Sequence, residues 1–401
     1  MTSIHGTNPR RISIFDATLR DGEQAPGNAM SPEAKVDLAL DSEALGVDIV
    51  EAGFPGSSPA DYHATQLIAK SLTTARFATF NRAAREDVRL SMEAAGDAPN
   101  HQIQICGTGS DLHLEYKRGI TRQEAVREVD DAIRYAASLG ARDISFGVED
   151  ASRGDLELIR SLVDTAVTAG ATTVILADTS GCSTPGEIGV LTAAVRSWIP
   201  ADTVFSLHCH DDLGLALANA LAGIQAGADE IQATLGGIGE RSGNTPLEEL
   251  AAVLTYKSAE LGATTTLRTE RIYDAYQRLA ATIALLTPRN KAIVGTNAFA
   301  TQAGIHQAGI LRNPVTYEFI DPERFGRRRS MLVGRHSGRA ILRHLLDQLH
   351  VPADADLVER LYDRHILNRA GNGCDELDEL RDRLRVELAV AGVGAAANEA
   401  S

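Results

Sequence analysis

Short runs of aliphatic and β-branched residues recur along the first two thirds of the chain, with longer amphipathic stretches between them and a cycle of about thirty residues. The runs are Ile12–Phe15, Asp48–Ala52, Arg76–Phe80, Gln102–Cys106, Asp143–Val148, Thr172–Ala177, Thr203–Leu207 and Glu230–Thr234. Their length suits strands, and the segments between them carry helix start and stop signals. Ser31-Pro32-Glu33 offers a capping hydroxyl with proline at the first helical position. Ala44-Leu45-Gly46, Ser138-Leu139-Gly140 and Thr168-Ala169-Gly170 end on a glycine suited to a left-handed C-cap. Eight such cycles predict an α/β fold, a closed parallel (β/α)8 TIM barrel, with a doubly wound open sheet as the competing arrangement. Past residue 275 the rhythm stops. Helical patterns follow at Arg271–Leu286, Arg339–His350, Ala355–Ala370 and Asp375–Ala391, with a Gly-rich polar stretch from Lys291 to Arg339. The chain thus divides into a flexible N-terminus (1–10), the barrel (11–275), a linker subdomain (276–340), a mostly helical C-terminal subdomain (341–392) and a flexible tail (393–401).

Composition narrows the function classes. A net charge of −15 argues against a general nucleic-acid or anionic-membrane binder. It still allows anionic substrates, because a local cation overrides the global field. No apolar run approaches the roughly 20 residues of a membrane span, and the N-terminal residues lack a signal-peptide core. Four cysteines form no CxxC pair, which fits a reducing, cytoplasmic setting. Cys106, Cys182 and Cys209 read as buried packing residues.

In a barrel of this type chemistry sits at the carboxyl ends of the strands. The chemically loaded residues fall there: Arg20 and Asp21 after the first run, Glu51 at the second, and Glu149 and Asp150 after the fifth. Asp178-Thr179, His208 with His210, and Gly236–Arg241 follow the last three. His208 and His210 share a strand face while Cys209 points away. Two imidazoles at a strand end suit a divalent metal, with Asp21 as third ligand once the barrel closes, or else they are a packed, hydrogen-bonded pair. Glu51 and Asp178 read as rim residues bonded to Arg20 or to loop amides. Gly236–Gly239 either cradle a phosphate or only permit a turn.

Three motifs carry a family resemblance: Asp-Ala-Thr-Leu-Arg-Asp-Gly-Glu-Gln (16–24), His-Cys-His-Asp-Asp-Leu-Gly (208–214) and Gly-Gly-Ile-Gly-Glu-Arg-Ser-Gly-Asn (236–244). With them the chain resembles the metal-dependent Claisen-condensing barrel family, which includes 2-isopropylmalate, homocitrate and citramalate synthases. The resemblance runs from about Ile12 to His336. It implies an acyltransferase that condenses acetyl-CoA with a 2-oxoacid and hydrolyses the thioester to give a 2-alkylmalate-type hydroxy acid. It implies a divalent ion (Mg, Mn, Co or Zn) on Asp21, His208 and His210, with Asn244 near it through water. Arg20 corresponds to the cation that polarises the substrate carbonyl, Thr179 to the hydroxyl that binds the oxoacid carboxylate, and Glu149 to an active-site carboxylate. His306 and Tyr317 match the family's proton-transfer residues, which come from the partner of an intertwined homodimer. His113 and Arg82 are taken as substrate contacts, with capping or packing as the other reading of His113.

The oxoacid is less constrained. The lysine-type homocitrate synthases carry an Arg and a Ser in the fifth-strand motif where this chain has Ser145 and Gly147. Gly147–Arg153 is closer to the homocitrate synthases of nitrogen fixation, and Glu51–Ser58 and Asn290–Gly295 are similar to isopropylmalate synthase. A relative using another oxoacid such as phosphonopyruvate stays open. So does a hydroxymethylglutaryl-CoA lyase-like enzyme, although the catalytic Cys of those lyases has no counterpart in Leu235–Arg241.

Overall fold

The computed structural model describes residues 9–369, 371, 373–391 and 393, and falls into two compact units that divide between Leu286 and Thr287. In the first unit eight parallel strands close into a barrel. They are β1 (Ser13–Asp16), β2 (Ile49–Gly53), β3 (Arg76–Arg82), β4 (His101–Thr108), β5 (Asp143–Glu149), β6 (Thr173–Asp178), β7 (Val204–Cys209) and β8 (Glu230–Ala233). Ser13 of β1 lies opposite Glu230 of β8, which closes the ring and removes any sheet edge. The eight runs legible in the sequence are these eight strands; the open-sheet alternative is excluded.

The helices between the strands form where the capping chemistry allows. Ser31 accepts from the Ala34 amide, Pro32 starts the helix Pro32–Leu45, and Gly46 ends it at φ 86°. Thr121 with Glu124, and Thr184 with Glu187, make reciprocal capping boxes. Phe15, Ala17, Ile49 and Ala78 form a buried cluster, and strand alternation places Ile49 on the inward face with Glu51. Arg10–Arg11 is not loose: it pairs with Ala263–Thr264 as a two-residue parallel ladder. Residues 1–8 and 394–401, the rest of the expected flexible ends, lie outside the described residues.

The second unit is mostly helical, as expected, and adds a small sheet. Ala300–Thr301, Ser330–Val333 and Asp375–Glu376 form a three-stranded sheet, too short per strand to show a period in the sequence. Helices Gly304–Arg312, Arg339–Gln348, Ala355–Tyr362 and Leu377–Val390 accompany it. Its core is aliphatic, built on Val333, Ile341, Leu345, Leu361 and Leu384. The last helix begins two residues later than its pattern suggests because Asp375 and Glu376 pair with Val333 and Leu332. The helix expected over 355–370 passes into a wider π turn at Asp363–Leu367, and Ala370 lies outside the described residues. Among the described residues no helix is long and apolar enough to cross a membrane. One cysteine departs from expectation: Cys182 is exposed, because it sits in the β6 loop rather than on a strand face, while Cys209 is buried and Cys106 half-buried.

Candidate metal and substrate site

Asp21 opens a short helix directly after β1, His208 stands on β7, and His210 follows it, tied by a backbone bridge to Asn244. The fold brings all three together, buried. His208 Nε2 lies 3.1 Å from His210 Nε2, and Asp21 Oδ2 lies 3.5 Å and 3.8 Å from these two nitrogens. Donors about 2.1 Å from one ion are separated by about 3.0 Å at octahedral and about 3.4 Å at tetrahedral angles, so this triangle has the dimensions of one face of a coordination shell.

Hydrogen-bond polarity gives an independent reason. His208 Nδ1 faces Gln232 Oε1 at 2.9 Å, and His210 Nδ1 faces the Gly243 carbonyl at 3.2 Å. Carbonyl oxygens only accept, so each Nδ1 carries the proton and each Nε2 presents a lone pair. Two lone pairs and a carboxylate oxygen then converge on one point, which is repulsive until a cation occupies it. Asn244 donates from Nδ2 to Asp21 Oδ1 at 2.9 Å, while its own buried Oδ1 has no hydrogen-bond partner. The donor set fits a hard or borderline divalent ion. Burial pushes the His208 imidazole down to about 3, helped by His210 and opposed by Asp21. His210 is lowered by burial as well. Burial alone raises a carboxyl, yet Arg20 and the two histidines outweigh it and hold Asp21 well below the usual range.

Arg20 is the bridge between this triangle and the barrel wall. Its Nε lies 2.8 Å from Glu51 Oε2 and its Nη1 lies 3.1 Å from Asp21 Oδ2, with the guanidinium 4.7 Å over the Phe80 ring. Burial disfavours the cation, but Glu51 and Asp21 more than compensate and keep it charged. Glu51 is fully buried; desolvation pushes it up to about 7 against the pull of Arg20. Asp178 accepts from the amides of Cys182 and Ser183 at 3.2 Å each, the loop-bracing role that its position suggested.

These groups open onto a cavity of about 690 Å³ at the carboxyl end of the barrel. Thr179 lines it, and its Oγ1 accepts from the Asp150 amide at 2.8 Å, which leaves the hydroxyl hydrogen free to donate. Glu149 lines it too, accepting from Lys117 Nζ at 2.5 Å. Arg82 sits on the wall but is held by Asp87 through Nε at 2.7 Å and Nη2 at 2.8 Å. His113 is not among the lining residues; it lies 3.7 Å from Glu149, 3.6 Å from Asp150 and 3.3 Å from Arg153. The glycine loop after β8 spends its amides internally, Gly236 N on Glu248 and Gly237 N on Thr234. Gly239 earns its place by proximity, since a Cβ there would stand 2.0 Å from Asn244 Nδ2 and 2.9 Å from Asp21 Oδ1.

With this geometry in place, comparison with known proteins decides the family. Residues 11–279 match the HMGL-like family model, and residues 293–368 match that of the Homocitrate synthase post-HMGL domain-like family. The chain belongs to the HMGL-like family. Curated relatives include the 2-isopropylmalate synthase of Stenotrophomonas maltophilia (strain K279a), 41% identical over 372 residues, covering 91% of this chain and 70% of that protein. The 2-isopropylmalate synthase of Sediminispirochaeta smaragdinae is 39% identical over 361 residues, 89% of this chain and 71% of that protein. Among solved structures, the HMG-CoA lyase from Brucella melitensis superposes with a TM-score of 0.58 at 21% identity, covering 69% of this chain and 100% of that one. The hydroxymethylglutaryl-CoA lyase from Pseudomonas aeruginosa gives 0.58 at 19% identity over 70% and 94%. At that identity the likeness establishes the barrel alone.

Two candidates of this HMGL-like chain lie outside the barrel unit. His306 and Tyr317 meet within the second unit, ring centroids 4.2 Å apart and planes 31° from parallel, with the tyrosine half exposed. The sequence reading missed Gln104, Gln232 and Lys117, all of which line the cavity. A signal existed for the two amides: Gln104 alternates with Gln102 and Cys106 on β4, and Gln232 with Glu230 on β8. Inward positions of a barrel strand rarely stay polar without purpose.

Proposed function

We propose that the chain condenses acetyl-CoA with a 2-oxoacid and hydrolyses the resulting thioester, releasing CoA and a 2-alkylmalate-type hydroxy acid. The observation that carries this is the Asp21–His208–His210 triangle with Arg20 against it, opening onto a cavity of about 690 Å³. Asp21, His208 and His210 would hold a divalent ion, which would supply Lewis acidity toward the oxoacid. Arg20 lays fixed positive charge where the ketone oxygen gains its negative charge, and Thr179 donates its hydroxyl to the oxoacid carboxylate. Glu149 or His306 takes the proton from the acetyl methyl carbon, a step worth roughly 10²–10⁴-fold. Tyr317, its ring tilted against His306, orients that imidazole and shares the proton transfer.

The oxoacid is one with an apolar side chain, the 2-isopropylmalate type. Each cation on the cavity wall already has an acidic partner: Arg20 with Glu51 and Asp21, Arg82 with Asp87, Lys117 with Glu149, Arg118 with Glu128 and Arg241 with Asp212. Among the described residues lining the cavity, none is left unpaired to face the distal carboxylate of 2-oxoglutarate or the phosphonate of phosphonopyruvate. Phe80, Cys106, Gly147, Ile175 and Ala177 line the same cavity and suit an aliphatic group. Cleavage chemistry of the lyase type is disfavoured by the cysteine-free Leu235–Arg241 loop and by the synthase identity of the curated relatives.

A homodimer in which the second unit completes the partner's site, working in the cytoplasm, accounts for the exposed apolar residues around the His306–Tyr317 pair. Ile305, Val315 and Phe319 are 81%, 79% and 65% exposed. The test is release of CoA thiol from acetyl-CoA with each of 2-oxoisovalerate, 2-oxoglutarate, pyruvate, oxaloacetate and phosphonopyruvate. Metal-dependent release with 2-oxoisovalerate above the acidic oxoacids is expected. Release with none of them overturns the reaction class, and preference for 2-oxoglutarate or phosphonopyruvate overturns the apolar assignment.

A further inference from the structure

A row of buried polar side chains runs across the barrel beneath the metal triangle. Glu51 Oε1 accepts from Gln104 Nε2 at 3.1 Å, Gln104 Oε1 accepts from Gln232 Nε2 at 3.3 Å, and Gln232 Oε1 faces His208 Nδ1 at 2.9 Å. All three are nearly or fully buried: Glu51 at 0%, Gln104 at 4% and Gln232 at 2% exposure. An amide can turn end for end at almost no steric cost, so two amides in series have two self-consistent settings. In one, oxygens point toward His208 and its Nδ1 must carry the proton. In the other, amide hydrogens point toward His208, Nδ1 must accept, and the proton moves to Nε2, where it blocks an ion. Both ends bear on the choice: without an ion, the His210 Nε2 lone pair at 3.1 Å and Asp21 Oδ2 at 3.5 Å favour a proton on His208 Nε2, and the group at the far end of the row opposes it. Glu51 as a carboxylate accepts and never donates, and the Arg20 guanidinium at 2.8 Å favours that charged form.

We infer that Gln104 and Gln232 are positioning residues that transmit the acceptor polarity of Glu51 to His208, fixing the imidazole tautomer that can bind a metal. The inference rests on the reading that Asp21, His208 and His210 hold a divalent ion. It assigns function to two residues that touch neither the ion nor a reacting atom, across a path of three hydrogen bonds. The row also couples two features of the site: the same carboxylate that steadies Arg20 sets the metal-binding face of His208.

The experiment reads the His208 tautomer directly. In metal-free full-length protein at pH 8, above the raised value of about 7 so that Glu51 is a carboxylate, imidazole ¹⁵N shifts distinguish Nδ1–H from Nε2–H, and calorimetric titration with Mn²⁺ gives affinity. Wild type is expected to hold His208 predominantly as Nδ1–H. Gln104→Met keeps the volume but cuts the row; it is expected to show both tautomers and to bind Mn²⁺ about tenfold more weakly, the low end of what outer-shell partners contribute. Gln104→Glu, whose oxygens accept from Gln232 in either rotamer, is expected to restore the single tautomer. Gln232→Met is the second arm should Gln104→Met not fold, and loses the preference outright. A single Nδ1–H tautomer in Gln104→Met with Mn²⁺ affinity within twofold of wild type overturns the inference. Absence of Mn²⁺ binding by wild type overturns instead the metal reading beneath it, so the two failures are distinct.

Discussion

Proton release on metal binding is where the electrostatics of the site become measurable. Metal ligands must be deprotonated, so an ordinary histidine gives up its proton as the ion arrives. With an ordinary pKa near 6.5, an imidazole is about three-quarters protonated at pH 6.0, and two of them release about 1.5 protons per ion. In this chain burial has already removed that proton: His208 is pushed down to about 3, and His210 is lowered too. The two histidines together should release less than about 0.8 proton per Mn²⁺ at pH 6.0, nearly all of it from His210, counted in Glu51→Gln protein so that the Glu51 carboxyl does not contribute. Calorimetry at pH 6.0 in buffers of different ionisation enthalpy counts the protons. A count of 1.5 or more refutes the claim that the ligands are held neutral by burial. The same shift has a stability signature of fixed sign. A histidine whose folded pKa is depressed leaves the unfolded chain holding more protons below pH 6.5, so metal-free stability falls as pH drops from 6.5 toward 3. By pH 4.5 the loss attributable to His208 is about 3 kcal/mol, readable as a falling denaturant midpoint.

Three further outcomes separate roles within the structure. Arg20→Lys should lower kcat by about 10²–10³-fold with little change in melting temperature, because an ammonium cannot span Glu51 and Asp21 as the guanidinium fork does; near-normal turnover would remove Arg20 from carbonyl polarisation. Lys35 is 1% exposed between Glu23 and Asp61, 2.5 Å from the latter; Lys35→Met should cost about 3 kcal/mol in urea unfolding, and an unchanged midpoint would show that the triad is not stabilising. If the second unit serves the partner's cavity, mixing inactive Asp21→Ala and His306→Ala chains should restore up to about a quarter of wild-type activity; none after verified subunit exchange points to a site built within one chain.

The barrel was legible because each strand is a short apolar run and each helix carries its own punctuation, as at Ser31-Pro32 and Gly46. Closure then did the remaining work: with eight strands fixed, Asp21 and His208 had to share a rim although 187 positions separate them in the sequence. Three things escaped. The small sheet of the second unit rests on pairings of two to four residues, below the length at which alternation is visible. The exposure of Cys182 depends on a loop path that no periodicity encodes. The Gln104–Gln232 row escaped because an amide on a strand looks neutral until its neighbours across the barrel are known; only strand register, Gln232 beside His208, reveals it.

The most direct test of the metal centre is pulsed electron paramagnetic resonance of the Mn²⁺-loaded protein, which counts directly bound imidazole nitrogens. Couplings from two nitrogens in wild type, reduced to one in His208→Ala, are the predicted result. A wild-type spectrum showing no bound imidazole would contradict the account at its root.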